Sequence, residues 1–192
     1  VHLMRADVSK RDEVKDMFSK IRKTTGKLDI LVNNAGILRD NLLLMTPEND
    51  YNDQMDVNLK GTFLCMQYGA KLMMKKSSGK IINLSSVIGR FGNSGQVVYG
   101  GTKAGVIGMT TSAAKELGVY GITVNAVAPG LIDTEMTQEM DEAFKNKLLD
   151  NCSLKRNGTP EDVAGVVLFL AASLCVYVFV LFLCVDGLFL IL

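Results

Sequence analysis

The chain has 192 residues, a formal net charge of +1, 48% hydrophobic residues and 21% charged residues. This composition predicts one globular domain with a sizeable core, and it contains neither a basic block for nucleic acid nor an acidic tail. A single histidine, His2, and four scattered cysteines argue against a hydrolytic triad, a metal site and a disulfide framework, so we expect no bound metal.

Apolar runs alternate with helical patterns from the first residue, which predicts βα units around a parallel sheet. A short strand is expected at Val1–Ala6. The next segment predicts a helix that Ser9 caps and Gly26 ends. The sequence LDILVNNAG at 28–36 then predicts a buried strand that runs into a turn.

The middle of the chain continues the same alternation. Pro47 is typical of a helix start, and the helix is expected at roughly Asp50–Lys76, where a Lys/Ser/Gly stretch ends it. Further predicted elements are a strand at 79–86, a glycine-rich loop at 87–95, a helix reaching about Leu117, a strand at 121–130 and a helix after Thr159, which Pro160 and Glu161 follow.

The last part of the chain has two interpretations. Residues 163–185 carry no charge over 23 positions, which is long enough to cross a bilayer. However, the run begins inside a capped helix, is interrupted by Ser173 and ends in VDG, a plausible strand end and turn. We therefore favour a buried helix followed by a core strand over a membrane segment.

Polar and small residues follow four successive predicted strands. In an open α/β sheet, ligands bind beyond the carboxyl ends of the strands. Each cluster alone is explained more simply by a cap or a turn, but together they predict a site at one edge of the sheet. The clusters are Asp7, Asn33–Gly36, Ser85–Ser86 and Pro129–Gly130.

Tyr99 and Lys103 are four residues apart on a predicted helix and therefore share a face. A nearby ammonium stabilises a phenolate, so we expect Lys103 to lower the pKa of Tyr99. Spacing alone favours a solvated surface pair instead. The helix also contains glycines that weaken it, which predicts the close approach of a ligand or another backbone. These are Gly100, Gly101, Gly105 and Gly108.

Several motifs together resemble the short-chain dehydrogenase/reductase family, and most of all its 3-oxoacyl-[acyl-carrier-protein] reductase branch. Ser86 precedes Tyr99 by thirteen residues, the usual family spacing. The motifs are YGGTK at 99–103, NNAG at 33–36, NLKG at 58–61, INLSSVIG at 82–89 and APGLIDTEM at 128–136. The resemblance implies an NADP(H)-dependent oxidoreductase of fatty-acid biosynthesis, with NAD(H) not excluded as the cofactor.

The resemblance also implies roles for individual residues. Tyr99 would be the general acid, Lys103 would bind the nicotinamide ribose, Ser86 would bind the substrate oxygen together with Tyr99, and Asn58 would kink its helix and hold a water. Asp7 and Val8 would contact the adenine. The remaining cofactor contacts implied are Asn34, Ala35 and Gly36 at the adenine-side ribose, and Pro129, Gly130, Ile132 and Thr134 at the nicotinamide end.

For the whole protein, the resemblance implies an acyl carrier protein thioester as substrate and a homodimer or homotetramer. It implies a cytoplasmic location, with plastid and mitochondrial matrix as alternatives. Basic residues would favour docking of the carrier protein, and Lys75, Lys76 and Lys80 are candidates, although a helix end rich in lysine explains them equally well.

The implied fold is α/β, a three-layer, Rossmann-type, doubly wound parallel sheet that is truncated at its N-terminus, with residues 1–192 forming a single partial domain. Val1 matches the start of the family's third strand, and the glycine-rich TGxxxGxG turn that binds phosphate is not in this sequence. An exposed apolar sheet should follow. The stretch VYVFVL at 176–181 also departs from the family, with Phe179 and Val180 in place of threonine and glycine.

Two alternatives remain beside the carrier-protein reductase. The chain could be a related reductase that acts on another carbonyl or alcohol substrate, such as a steroid, a sugar or a small alcohol. It could also be an inactive, truncated paralogue that binds a partner or a membrane. The missing phosphate turn and the apolar run at 163–185 are the observations that suggest this alternative.

Overall fold

The computed structural model describes residues 1–138, 145, 149–150, 152–172, 175, 178 and 182–187. Its sheet has parallel strands in the order β1-β2-β3-β4. In the register of the sheet, Leu31 lies beside Ile81, and Ile81 lies beside Val124. The strands are β1 (Ile30–Asn33), β2 (Gly79–Leu84), β3 (Ile122–Pro129) and β4 (Phe182–Val185).

Helices connect the strands in the order that the sequence predicts. The predicted helix at 50–76 is interrupted by a π-helical segment, and the predicted glycine-rich loop at 87–95 contains a short helix. The α-helices are α1 (Arg11–Thr25), α2 (Glu48–Gln54), α3 (Thr62–Met74), α4 (Ile88–Phe91), α5 (Val97–Leu117), α6 (Glu135–Gln138) and α7 (Pro160–Ala171). The π-helical segment is Met55–Gly61, and 3₁₀ turns lie at Leu43–Met45 and Gly118–Tyr120.

The sheet is covered by helices on both faces, which confirms the three-layer α/β fold. On one face, Met73 of α3 and Ala114 of α5 pack against Ile81 and Val124 of the sheet. Helix α1 packs against α3, with Phe18 in the same core cluster as residues of α3. On the opposite face, Leu170 of α7 packs against Ile82 and Val127. Burial of these apolar side chains is the main stabilising term of the fold.

The predicted strand at Val1–Ala6 is wrong, because the backbone before α1 forms no strand. A strand needs a neighbour for its hydrogen bonds, and within the described sheet β1 pairs with β2 alone. Ser9 is not the cap of α1 either. Lys10 is the N-cap residue, and the Ser9 hydroxyl donates to Asp7 Oδ1 at 2.7 Å. Gly26 ends the helix as predicted, in a left-handed conformation with φ of 68°.

Strand β1 is less buried than the sequence predicts. Ile30 and Val32 are 43% and 40% exposed, whereas Leu31 on the other face packs into the core. Helix α7 covers the face of the sheet on which Ile82 lies, and it packs there against β2, β3 and β4. The expected exposed apolar sheet is therefore confirmed at β1.

The apolar run at 163–185 begins in a capped helix and ends in a strand, as we favoured. The predicted burial of the helix is wrong, because Leu168 and Phe169 are 71% and 51% exposed. Thr159 Oγ1 accepts from the Asp162 amide at 3.3 Å, and Asp162 Oδ2 accepts from the Thr159 amide at 2.9 Å, a capping box. Helix α7 ends at Ala171, and β4 follows at 182–185. Within the described part of the chain, no helix has the length and hydrophobicity needed to traverse a bilayer. Phe179 and Val180 lie outside the described residues.

Candidate active site

A cleft of about 720 Å³ opens at the carboxyl ends of the strands, where the sequence predicts a site. Three of the four predicted strand-end clusters contribute to it. The cleft is lined by Asn34, Ala35, Gly36, Leu38, Leu84, Ser85, Ser86, Val87, Ile88, Asn93, Gln96, Tyr99, Lys103, Pro129, Gly130, Leu131, Ile132, Thr134, Glu135, Thr137, Pro160 and Val163. The lining therefore includes three of the four residues predicted to be catalytic and most of those predicted to bind a cofactor.

Asp7 and Val8 do not line this cleft. The Asp7 carboxylate accepts from the Ser9 hydroxyl at 2.7 Å and from the Ser9 amide at 2.9 Å, and these bonds lower the pKa of Asp7. Val8 packs against Gly61, where an added Cβ would lie 2.8 Å from Val8 Cγ2. Their assignment to an adenine contact remains a prediction.

Helix α5 places Tyr99 and Lys103 on one face, as their spacing predicts. Lys103 Nζ lies 5.6 Å from the centre of the Tyr99 ring. The same ammonium donates to the Leu84 carbonyl at 2.9 Å, at the end of β2. Lys103 is only 5% exposed. This burial disfavours its charged form and lowers the pKa of Lys103 to about 8.

The expectation that Tyr99 has a lowered pKa is wrong for this structure. Burial raises the pKa of Tyr99, interaction with the Ser86 side chain lowers it, and the negative charge of Asp40 raises it further. The hydrogen bond of Lys103 goes to Leu84 rather than to the phenol oxygen. Tyr99 is therefore held in its neutral form, in which it carries a proton to give.

Asn58 lies in the π-helical segment and is 1% exposed. Its Oδ1 accepts from the Ile37 amide at 2.8 Å, and its Nδ2 donates to the Ile37 carbonyl at 2.9 Å. Gly36 brings this side chain close to the cleft. A Cβ added at Gly36 would lie 3.4 Å from Asn58 Oδ1 and 3.5 Å from Lys103 Nζ. Gly36, the side-chain amide of Asn58 and the ammonium of Lys103 therefore lie close together beside the cleft.

The two serines at the end of β2 have different environments. Ser85 Oγ donates to the Lys103 carbonyl at 2.9 Å and so ties β2 to α5. Ser86 Oγ accepts from the Ile88 amide at 3.2 Å, and its side chain interacts with Tyr99. Because the Ser86 hydroxyl still has a proton to donate, it is the serine that is able to bind a second oxygen.

The glycines of α5 fall into two groups. A Cβ added at Gly105 would lie 2.6 Å from Leu59 Cδ1, and one at Gly100 would lie 3.3 Å from the Ile88 carbonyl oxygen. The predicted close approach of another backbone is confirmed at Gly100, whereas the neighbour of Gly105 is the Leu59 side chain. Among the described residues, no atom lies within 4 Å of a Cβ added at Gly101 or Gly108, so no described backbone approaches these two glycines.

Sequence reasoning missed Gln96, Asp40 and Thr102. Gln96 is 6% exposed, lines the cleft and donates to Asp40 Oδ1 at 3.0 Å. Thr102 Oγ1 donates to the Tyr99 carbonyl at 2.7 Å and accepts from Asn58 Nδ2 at 3.3 Å. The signal for Gln96 was its position one helical turn before Tyr99. No local pattern marks Asp40, which is 56 residues away from Gln96 in the sequence.

Lys80 does not lie free for docking, contrary to its place among the candidates for binding a carrier protein. Its ammonium donates to the carbonyls of Leu170, Ala172 and Cys175 at 3.4, 2.9 and 2.7 Å. These carbonyls lie in the last turn of α7 and just after it, where a cation is favoured by the helix dipole. Lys75 and Lys76 are exposed.

Known proteins resemble this chain over nearly all of its length. A family model described as "Enoyl-(Acyl carrier protein) reductase" matches residues 1–187. The 3-oxoacyl-[acyl-carrier-protein] reductase FabG of Staphylococcus epidermidis is 47% identical over 175 residues, which are 91% of this chain and 72% of that protein. The enzyme of the same name from Thermotoga maritima is 46% identical over 181 residues, 94% of this chain and 74% of that protein. A solved structure described as ElxO with NADP bound matches with a TM-score of 0.88 and 40% identity, covering 94% of this chain and 75% of that one.

Proposed function

The chain belongs to the short-chain dehydrogenase/reductase family, and we propose that it reduces 3-oxoacyl-[acyl-carrier-protein] to 3-hydroxyacyl-[acyl-carrier-protein] with NADPH in fatty-acid biosynthesis. The observation that carries the proposal is the convergence of Tyr99, Lys103 and Ser86 on one cleft, with Asn58 directly behind Gly36. The name of the Staphylococcus epidermidis relative supports the carrier-protein thioester as substrate.

Tyr99 is the proposed general acid, which donates its phenolic proton to the carbonyl oxygen of the substrate. Ser86, whose side chain interacts with Tyr99, donates a hydrogen bond to the same oxygen and so fixes its position. As the proton leaves, negative charge develops on the Tyr99 oxygen. The Lys103 ammonium, 5.6 Å from the ring centre, stabilises that charge. Asn58 holds the π-helical segment against Ile37 and is proposed to keep a water close to Lys103.

The residues of the cleft fit the nicotinamide end of NADP(H). Gly36 and Lys103 border the same part of the cleft, since a Cβ added at Gly36 would lie 3.5 Å from Lys103 Nζ. When bound, the cofactor supplies a hydride to the carbonyl carbon of the substrate. The nicotinamide would be held by Pro129, Gly130, Ile132 and Thr134, and the nicotinamide ribose hydroxyls by Lys103. The adenine-side ribose would be held by Asn34, Ala35 and Gly36, and the adenine by Asp7 and Val8. NADP rather than NAD is proposed because the structural relative is described with NADP bound.

The same family membership is the basis for proposals about the whole protein. We propose that residues 1–192 form a single partial Rossmann-type domain, since each helix layer shares its core clusters with one sheet. A homodimer or homotetramer and a cytoplasmic location complete the proposal. Sedimentation velocity of the purified chain tests the oligomeric state.

The function is tested by mixing the 192-residue chain with NADPH and following the loss of NADPH absorbance with 3-oxoacyl-[acyl-carrier-protein], an acetoacetyl thioester and a panel of free ketones. We expect reduction of the thioesters in preference to the ketones. Tyr99→Phe should abolish the reaction without weakening NADPH binding, measured by fluorescence titration. Tyr120→Phe, at a partly exposed position in the 3₁₀ turn after α5, is the matched control and should retain the parent rate.

Three outcomes would contradict the proposal. Full activity of Tyr99→Phe would remove Tyr99 from the chemistry. A preference for free ketones or alcohols would assign the chain to another substrate. The absence of NADPH binding would favour the non-catalytic alternative.

A further inference from the structure

Helix α5 meets the π-helical segment at a contact that has an apolar and a polar part. A Cβ added at Gly105 would lie 2.6 Å from Leu59 Cδ1, so the helix and the segment pack closely there. Three residues before Gly105, Thr102 is 0% exposed and its hydroxyl contacts the Asn58 side chain. Thr102 and Asn58 therefore form the polar part of a contact between the helix that carries Tyr99 and the segment that carries Asn58.

The hydrogen bonds of Thr102 leave one assignment of its hydroxyl proton. A threonine hydroxyl has one proton to donate and two lone pairs that accept. Thr102 Oγ1 lies 2.7 Å from the Tyr99 carbonyl oxygen, which is only an acceptor, so the proton is donated to Tyr99. Toward Asn58 the hydroxyl is then an acceptor, and it receives an N–H of Asn58 Nδ2 at 3.3 Å. Thr102 therefore joins the backbone of Tyr99 directly to the side chain of Asn58.

The two N–H groups of the Asn58 side chain are both used within the protein. The Ile37 carbonyl accepts one at 2.9 Å and Thr102 accepts the other, while the Ile37 amide donates to Asn58 Oδ1 at 2.8 Å. This pairing fixes which end of the side-chain amide is oxygen, because a backbone amide cannot donate to an NH₂ group. A Cβ added at Gly36 would lie 3.4 Å from Oδ1 and 3.5 Å from Lys103 Nζ. The oxygen of Asn58 therefore lies on the side of Gly36 and Lys103.

We propose that Thr102 is a positioning residue for the reduction, which holds the Asn58 oxygen near Lys103 and in a fixed place relative to Tyr99. This inference rests on the proposed roles of Asn58, Tyr99 and Lys103. Without the Thr102 hydroxyl, one N–H of the Asn58 amide would be buried without a partner, which costs free energy. The amide would turn or the π-helical segment would shift to recover a hydrogen bond, and either movement displaces Oδ1 from Lys103.

Helix α5 contains a second buried threonine with the same bonding pattern. Thr110, 2% exposed, donates to the Val106 carbonyl at 2.7 Å and accepts from Asn83 Nδ2 at 2.9 Å. Asn83 lies within β2 and is not among the residues that line the cleft. Loss of the Thr110 hydroxyl should therefore destabilise the fold in the same way as loss of the Thr102 hydroxyl, but without an effect on the site. Thr110 is the matched control that separates positioning from packing.

The test compares Thr102→Val, which keeps the shape of the side chain without its hydroxyl, with Thr102→Ser, which keeps the hydroxyl, and with Thr110→Val. The kcat of thioester reduction, the NADPH dissociation constant from fluorescence titration and the free energy of unfolding in urea are measured on the 192-residue chain. The exchange of the Asn58 side-chain amide protons with deuterium is followed by NMR in the chain labelled with ¹⁵N-asparagine. The Asn58 resonance is assigned through its nuclear Overhauser effects to Ile37.

We expect Thr102→Val to lower kcat about fivefold to tenfold, as the loss of one buried hydrogen bond implies, and to leave the NADPH dissociation constant unchanged. The Asn58 amide protons should exchange faster in the same variant. Thr102→Ser should restore both values. Thr110→Val should lose about as much stability as Thr102→Val, while its kcat and its Asn58 exchange rate stay at the parent values.

A parent-like kcat in Thr102→Val overturns the proposal. An equal loss of kcat in Thr110→Val overturns it as well, because the effect would then come from the packing of α5. The same conclusion follows if Thr102→Ser does not restore kcat. If either valine variant does not fold, as judged by circular dichroism, alanine replaces valine at that position and should give the same result.

The exchange of the Asn58 amide protons needs neither cofactor nor substrate, so it separates this inference from the proposed function. A parent chain that reduces no thioester contradicts the proposed function, and faster exchange in Thr102→Val then still supports the hold of Thr102 on Asn58. A parent chain that reduces the thioester, with kcat and exchange both unchanged in Thr102→Val, contradicts the role of Thr102 alone.

Discussion

Gly89 lies where α4 meets α5, at a contact that leaves no room for a side chain. An alanine Cβ there would lie 2.7 Å from the Lys103 carbonyl carbon, 2.8 Å from the Ala104 amide nitrogen and 2.9 Å from Lys103 Cβ. These are backbone atoms and the first atom of a buried side chain. A change of rotamer therefore does not relieve the contact, and either α4 or α5 has to move.

The size of the effect follows from two opposing contributions. Over-packing at such a contact costs about 1–3 kcal/mol. The better helix propensity of alanine returns at most about 1 kcal/mol. Since all three contacts are shorter than 3.0 Å and two are with backbone atoms, the upper end of the over-packing cost applies, and we expect Gly89→Ala to lower the free energy of unfolding by about 2 kcal/mol. Because the displaced residue is Lys103, the rate of thioester reduction should fall in the same variant.

Urea denaturation followed by circular dichroism measures the change in unfolding free energy. Gly101→Ala is the matched control, because an added Cβ meets no described atom within 4 Å at this exposed position of α5. It should be as stable as the parent or more stable by up to about 1 kcal/mol. The reasoning is refuted if Gly89→Ala matches the parent in stability, or if Gly101→Ala loses as much as Gly89→Ala.

Three further predictions concern stability. In the folded chain the pKa of Lys103 is lowered to about 8, against 10.5 for an ordinary lysine. Between these two pH values the unfolded chain binds more protons than the folded chain, so the free energy of unfolding of the parent should rise with pH. The same rise should be absent in Lys103→Met. Lys80→Met should lower the free energy of unfolding by about 2 kcal/mol, measured by urea denaturation, because it removes a charged donor from carbonyls at the end of α7. Lys75→Met, at an exposed position, should leave this free energy almost unchanged. Thr159→Ala should lower the free energy of unfolding by about 1 kcal/mol because it removes the capping box of α7. A variant as stable as the parent would contradict the role of that cap.

The order of elements was predictable because local signals mark most of their boundaries. Gly26 and Thr159 act through their own backbone conformation or hydrogen bonds, within a few residues of their position. The strand predicted at Val1–Ala6 failed for the opposite reason. Its apolar residues have the right composition, but a strand exists only where a partner lies beside it, and partners are set by the tertiary fold.

The site was predictable to the extent that it depends on strand ends and helical spacing. Ser86, Tyr99 and Lys103 fall at such positions, and all of them line the cleft. The environment of each group was not predictable. Whether Lys80 faces solvent or the end of α7, and whether Tyr99 has a raised or a lowered pKa, depends on groups far away in the sequence, such as Ala172 and Asp40.

The most direct test of the central claim is the mass of the product formed from 3-oxoacyl-[acyl-carrier-protein] with NADPH that carries deuterium at the transferred position. We expect a 3-hydroxyacyl product with deuterium bound to carbon 3 and a solvent-derived hydrogen on the new hydroxyl oxygen, and we expect none of this product from Tyr99→Phe. Recovery of unchanged, unlabelled 3-oxoacyl thioester from the parent chain at saturating NADPH would contradict it.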